Sequence, residues 1–123
     1  MAGLLNEARD GLRSTAECMR QSHAVVDNKF TGNTTIAIVL TNAAFTKPQL
    51  CKIASMAHNG YGRSIRPVHT SADGDSIYAA STGEISADQD LVGTLAADVI
   101  SEAIIRAVEG AESAFGYPAK RDL

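Results

Sequence analysis

Hydrophobic and polar positions divide the chain into a polar leading part and a strongly patterned remainder. From Leu4 to Arg20 the residues tolerate a helix, but Gly11 interrupts them. The run from Gln21 ends in Asp27-Asn28-Lys29-Phe30-Thr31-Gly32-Asn33, a cluster of turn formers. This predicts an arm followed by an exposed loop. Next, Thr34-Thr35-Ile36-Ala37-Ile38-Val39-Leu40-Thr41 is dominated by β-branched residues and is apolar on both alternating faces beyond the threonines. That pattern predicts a strand covered on both sides. Asn42-Ala43-Ala44 reads as a turn. Thr46-Lys47-Pro48-Gln49 has the form of a capping box, with Phe45 and Leu50 placed as a hydrophobic staple, so a helix is expected from Thr46. Its apolar face is expected to be Leu50, Ile53, Ala54 and Ala57. The pattern loosens at Asn59-Gly60-Tyr61-Gly62, and Arg66-Pro67 forbids further helix.

A second strand is predicted over Ser76-Ile77-Tyr78-Ala79-Ala80-Ser81-Thr82, bounded by Asp73-Gly74-Asp75 and by Gly83. Ser86-Ala87-Asp88-Gln89 repeats the capping-box logic, and Asp88 and Asp90 suit the positive end of a helix dipole. In the last helix Leu91, Val92, Leu95, Ala96, Val99, Ala103, Ile104 and Ala107 are expected on one face. Asp98, Glu102, Arg106 and Glu109 fall on the other, and Gly110 or Gly116 can end it. From Thr34 onward the order is therefore strand, helix, strand, helix, an α/β arrangement.

Composition makes this core thin. The chain has 123 residues, of which 20 are Ala, with no Trp, three Phe and three Tyr. A domain of this length normally buries about two thirds of its unfolded surface. An Ala-rich chain must do so by close helix packing or by leaning on another polypeptide. The formal net charge is -3, with four basic and four acidic residues before Thr34 and seven basic and ten acidic from there on. The basic residues are scattered singly, which argues against nucleic acid as a partner. The N-terminus turns polar after Leu4-Leu5, so neither a signal peptide nor a membrane span is expected, and a cytoplasmic location is. Cys18 and Cys51 lack metal-ligand spacing and are expected to be free thiols on helices.

Two places could carry chemistry. At Gly32-Asn33-Thr34-Thr35 a hydroxyl sits where a turn enters a buried strand. If Thr34 Oγ1 attacked the Asn33 carbonyl, the acyl group would shift from nitrogen to oxygen. Hydrolysis of that ester would then leave an N-terminal threonine. Its α-amino group, titrating near about 7.7 to 8.0, would be the general base for its own hydroxyl. The ordinary alternative is a turn leading into a strand, and Asn33-Thr34-Thr35 also matches a glycosylation acceptor. The second place is Asp73-Gly74-Asp75. In an extended stretch both carboxylates would point the same way and could hold one cationic amine. A solvated turn is the alternative, and an EF-hand loop does not continue through Ser76-Ile77-Tyr78. His23, His58 and His69 show no ligand spacing, and His69 is expected to be a structural histidine.

Taken in order, Asn33-Thr34-Thr35-Ile36-Ala37-Ile38-Val39, Thr41-Asn42-Ala43, Lys47-x-Gln49, Met56-Ala57-His58-x-Gly60, Arg63-x-Ile65-x-Pro67-Val68-His69-Thr70 and Asp73-Gly74-Asp75 resemble the L-aminopeptidase/D-esterase family. The resemblance is greatest to its 6-aminohexanoate-oligomer hydrolase branch and runs from about Gly32 to the end of the last helix. It implies an αββα sandwich and cleavage between Asn33 and Thr34. It further implies Thr34 as nucleophile, Asp73 and Asp75 as its acidic partners, and hydrolysis of amide bonds in small peptides or amide oligomers. No cofactor or metal is implied, and a homo-oligomer is. Residues 1–33 resemble the linker before the processing site, and residues 34–123 the small subunit. Family members are longer, with an upstream segment supplying half of the sandwich and oxyanion donors. This chain is therefore expected to be an incomplete strand-helix-strand-helix portion, with little activity by itself. The rival expectation is a non-catalytic α/β interaction or pseudo-enzyme unit.

Overall fold

The β-branched run does form a strand, but one that starts later and runs further than expected. In the computed structural model, which describes residues 4–22 and 34–123, β3 spans Ile36–Ala43. Before it lie the two-residue strands β1 (Leu4–Leu5) and β2 (Leu12–Arg13), paired antiparallel, and the short helix α1 (Thr15–Gln21). The predicted arm thus contains a hairpin around Gly11 and a helix capped by Ser14, whose Oγ accepts from the Glu17 N–H at 3.3 Å. The predicted loop Gln21 to Asn33 falls almost wholly outside the described residues, and Asn33 with it.

Helix α2 covers Lys47–Ser64. At its start the expected capping box forms, with Gln49 Oε1 reaching back to accept the Thr46 N–H at 2.9 Å and the Thr46 side chain turned to the Gln49 backbone. The loosened stretch at Asn59-Gly60-Tyr61-Gly62 is helical, and Gly60 and Tyr61 are among its buried residues together with Ile53 and Ala57. The glycine that breaks the apolar pattern is a point where the next helix comes very close. A Cβ on Gly60 would lie 2.5 Å from the Ala97 carbonyl oxygen and 2.9 Å from Ile100 Cβ.

Strand β4 runs Ser76–Ile85, parallel to β3, with Ile36 opposite Ser76 and Thr41 opposite Ser81. Parallel neighbours need a crossover, and α2 supplies it. Two expected boundaries move. Asn42-Ala43 belongs to β3, and Gly83 lies inside β4 at φ 76°, where the register slips and Ala43 comes opposite Ile85. Ser81 Oγ donates to the Ala43 carbonyl and accepts the Gly83 N–H, closing this irregularity from both sides.

Helix α3 covers Gln89–Gly110. Its cap is Asp88, whose Oδ1 accepts the Leu91 N–H at 2.8 Å, rather than Ser86 as the capping-box pattern suggested. Its buried stripe is Gly93, Ala96, Ala97 and Ile100. Of the expected face Val92, Ala96 and Ile104 do turn to the core, but Leu91, Leu95 and Val99 are exposed. Small residues win the inner position because they let α2 and α3 approach until backbone meets side chain, and this contact, with Ile53, Ala57 and Tyr61, is the core.

Both helices lie against Ala37, Val39, Ile77 and Ala79 on one face of the sheet. The other face is bare, with Ile36, Ile38, Leu40 and Tyr78 at 69%, 58%, 73% and 62% exposure. Of the two faces expected to be covered, the described residues cover only one. Alternation makes both faces of β3 apolar, but all the helical material packed on this sheet among the described residues lies on one side. Both cysteines are free, on α1 and α2, and no described helix is long and apolar enough to cross a membrane.

Candidate active site

The amino end of the parallel pair is where the singled-out polar residues meet. Thr34 lies two residues before β3 begins, and Asp73-Gly74-Asp75 leads into β4, so strand pairing brings the two segments side by side. The Thr35 N–H donates to Asp75 Oδ1 at 3.0 Å, and the Ser76 N–H donates to the Thr35 carbonyl at 2.9 Å. Gly74 lies against the threonine, and a Cβ there would sit 2.8 Å from Thr34 Oγ1 and displace the hydroxyl. The residue between the acids clears room for the threonine hydroxyl.

The two carboxylates do not spend their bonds alike. Asp73 folds back on its own turn, with Oδ2 accepting the Thr70 N–H at 2.6 Å while its N–H donates to the Thr70 carbonyl at 3.1 Å. The Asp75 side chain is 6% exposed and reaches across to the neighbouring strand. Its Oδ2 is buried and accepts no well-aligned hydrogen bond among the described residues, although His69 Nδ1 is 3.2 Å away. Thr34, Asp73 and Asp75 all face one cleft of about 870 Å³. Its other walls include Ile65, Pro67 and Val68 after α2, Ile104 and Val108 of α3, and Leu4 and Met19 of the leading arm, with Arg63, Arg66 and Glu109 as charged members.

Behind the carboxylates stands an aromatic group that spacing alone did not single out. His58 and Tyr61 are three apart on α2 and so share a face. His69, at φ 56°, joins them from the following segment. Ring centroids are 5.3 Å apart for His58 and Tyr61, 5.0 Å for His58 and His69, and 6.0 Å for Tyr61 and His69. The fully buried Tyr61 places its hydroxyl 3.3 Å from both the Thr35 and the Ser76 carbonyls, so its single proton spans the two strands where the site begins. Burial holds the His58 pKa below its ordinary value, helped by His69 and opposed by Asp75. Burial also raises the Tyr61 pKa, with the Asp75 charge acting in the same sense. The His-x-x-Tyr spacing at the buried end of α2 was the available sequence signal.

Comparison with known proteins relates the chain to peptidases and amide-oligomer hydrolases. The chain is 33% identical over 106 residues to an uncharacterized aminopeptidase of Mycobacterium tuberculosis, covering 74% of this chain and 31% of that protein. It is 37% identical over 101 residues to an uncharacterized aminopeptidase of Mycobacterium leprae, covering 70% and 28%. To the 6-aminohexanoate-oligomer endohydrolase of a Kocuria species it is 31% identical over 91 residues, covering 63% and 26%. The chain thus spans about a third or less of the length of the curated relatives it matches. No solved structure matches. The sequence profile of peptidase family S58 covers residues 5–121, nearly all of the hairpin, helices and strands described above, and the chain belongs to that family.

Proposed function

We propose that this chain is the nucleophile-bearing part of a self-processing amide hydrolase, with residues 1–33 as the linker before the cut and residues 34–123 as the small subunit. The observation that carries this reading is the approach of Thr34 Oγ1 to the gap above Gly74, between two acids that share its cleft. Thr34 Oγ1 attacks the Asn33 carbonyl, the acyl group moves to oxygen, and water hydrolyses the ester. The freed α-amine of Thr34, close to Asp73 and Asp75, then takes the hydroxyl proton as Oγ1 attacks a substrate amide. The leaving amine departs with a proton, and water releases the acyl group from Thr34. Substrates of this reading are small peptides or amide oligomers, in line with the names of the relatives.

The bare apolar face of Ile36, Ile38, Leu40 and Tyr78 supports completion by a preceding segment that stacks a second sheet there, giving an αββα sandwich. That segment would also bring oxyanion donors, commonly the largest catalytic contribution, so the chain by itself is expected to have little activity. The test is intact-mass analysis of the protein expressed with the coding region upstream of Met1. The expected result is a break before Thr34 that Thr34→Ala abolishes together with amide turnover. A mass that stays whole on long incubation, or undiminished turnover by Thr34→Ala, refutes the proposal and favours a non-catalytic interaction unit.

A further inference from the structure

We propose that His69 is a positioning residue for the chemistry at Thr34, holding one oxygen of Asp75 so that the other fixes the backbone beside the nucleophile. The inference rests on the reading of Thr34 as nucleophile given above. Asp75 Oδ1 accepts the Thr35 N–H at 3.0 Å. With that single bond the carboxylate can still pivot about its last torsion, and the start of β3 can move with it. His69 Nδ1 lies 3.2 Å from Oδ2, and a donor there clamps the carboxylate at both ends. Oδ2 is buried and otherwise unpartnered among the described residues, a situation that is costly for an acceptor unless a donor closes on it.

Two further features fit a clamp. His69 holds a left-handed backbone conformation, φ 56°, which an L residue with a Cβ adopts at a cost. His58 and Tyr61 pack against its ring at 5.0 and 6.0 Å, which restricts how the imidazole can turn. The cleft is lined by Thr34, Asp73 and Asp75 and by Val68 and Thr70 on either side of His69, and the His69 ring reaches the site through its contact with Asp75.

The experiment compares His69→Gly, His69→Asn and Thr34→Ala in the protein expressed with its upstream segment. Glycine removes the imidazole while relieving the positive φ, and asparagine tolerates that φ and puts an amide N–H near the place of Nδ1. His69→Gly is expected to lower kcat roughly 10- to 100-fold, the scale of a modest misplacement of reacting groups, with KM changed less than about 3-fold. His69→Asn is expected to restore most of that loss. A His69→Gly protein with parental kcat, or a His69→Asn protein as slow as His69→Gly, overturns the inference. Thr34→Ala separates the two levels. If it is inactive while His69→Gly is unimpaired, only the clamp falls, whereas if it still turns over, the nucleophile reading falls and takes the clamp with it.

Discussion

Replacing Gly60 by alanine tests whether the close approach of α2 and α3 holds the site together. The new Cβ would meet the Ala97 carbonyl oxygen at 2.5 Å and Ile100 Cβ at 2.9 Å, and the first of these is backbone that cannot rotate away. Gly62 lies on the same helix, and a Cβ there meets nothing within 4 Å. Alanine gains helix propensity at both positions, at most about 1 kcal/mol each, so the difference between Gly60→Ala and Gly62→Ala isolates the steric conflict. Overpacking of this kind costs about 1–3 kcal/mol, and contact with backbone argues for the upper part of that range. With a urea m-value of about 1–3 kcal/mol/M, the two midpoints should differ by about 1 M, with Gly60→Ala the lower. The displacement also reaches the site, because the next residue, Tyr61, carries the hydroxyl that spans Thr35 and Ser76. Urea unfolding followed by circular dichroism measures the midpoints. Equal midpoints for the two variants would show that the helix contact is not tight and refute the reasoning.

Tyr61→Phe keeps the ring in the core but removes the hydroxyl 3.3 Å from two carbonyls, and it should cost about 0.5–1.5 kcal/mol in the same assay. An unchanged midpoint would mean that the hydroxyl does not bind the strand ends together. For His58 the sign follows from burial. Its folded-state pKa lies below its ordinary 6.5, so the native state binds fewer protons than the unfolded chain. Its contribution to stability is present above about 6.5 and is lost as pH falls through the folded value. His58→Gln should therefore flatten the fall in midpoint between pH 7.5 and 5.5, and a variant with the parental slope would contradict the assignment.

The candidate site was legible in the sequence to the extent that it is local. Asp73-Gly74-Asp75 and the Thr34 junction could be singled out because turn chemistry and strand onset leave marks in neighbouring residues. Their meeting depends on parallel pairing of β3 with β4, a contact across some forty positions of chain that no local pattern encodes. The aromatic group behind them was hidden for the same reason. His58 and Tyr61 are neighbours on α2, but His69 reaches them only because the chain turns after Ser64 and holds His69 at a positive φ.

By itself the sequence determined the order strand, helix, strand, helix, the start of α2 at Thr46, and the apolar character of both faces of β3, because these follow from periodicity and capping within a few residues. Tertiary structure decided which apolar residues are inside. On α3 Leu91, Leu95 and Val99 are left outside while the expected Ala96 is joined inside by Gly93 and Ala97, since helices packed at backbone distance favour small side chains. On β3 the faces are equally apolar in sequence, and only the placement of α2 and α3 covers Ala37 and Val39 while leaving Ile36, Ile38 and Leu40 bare. Hydrophobicity sets what can be buried, and the partner's geometry selects what is.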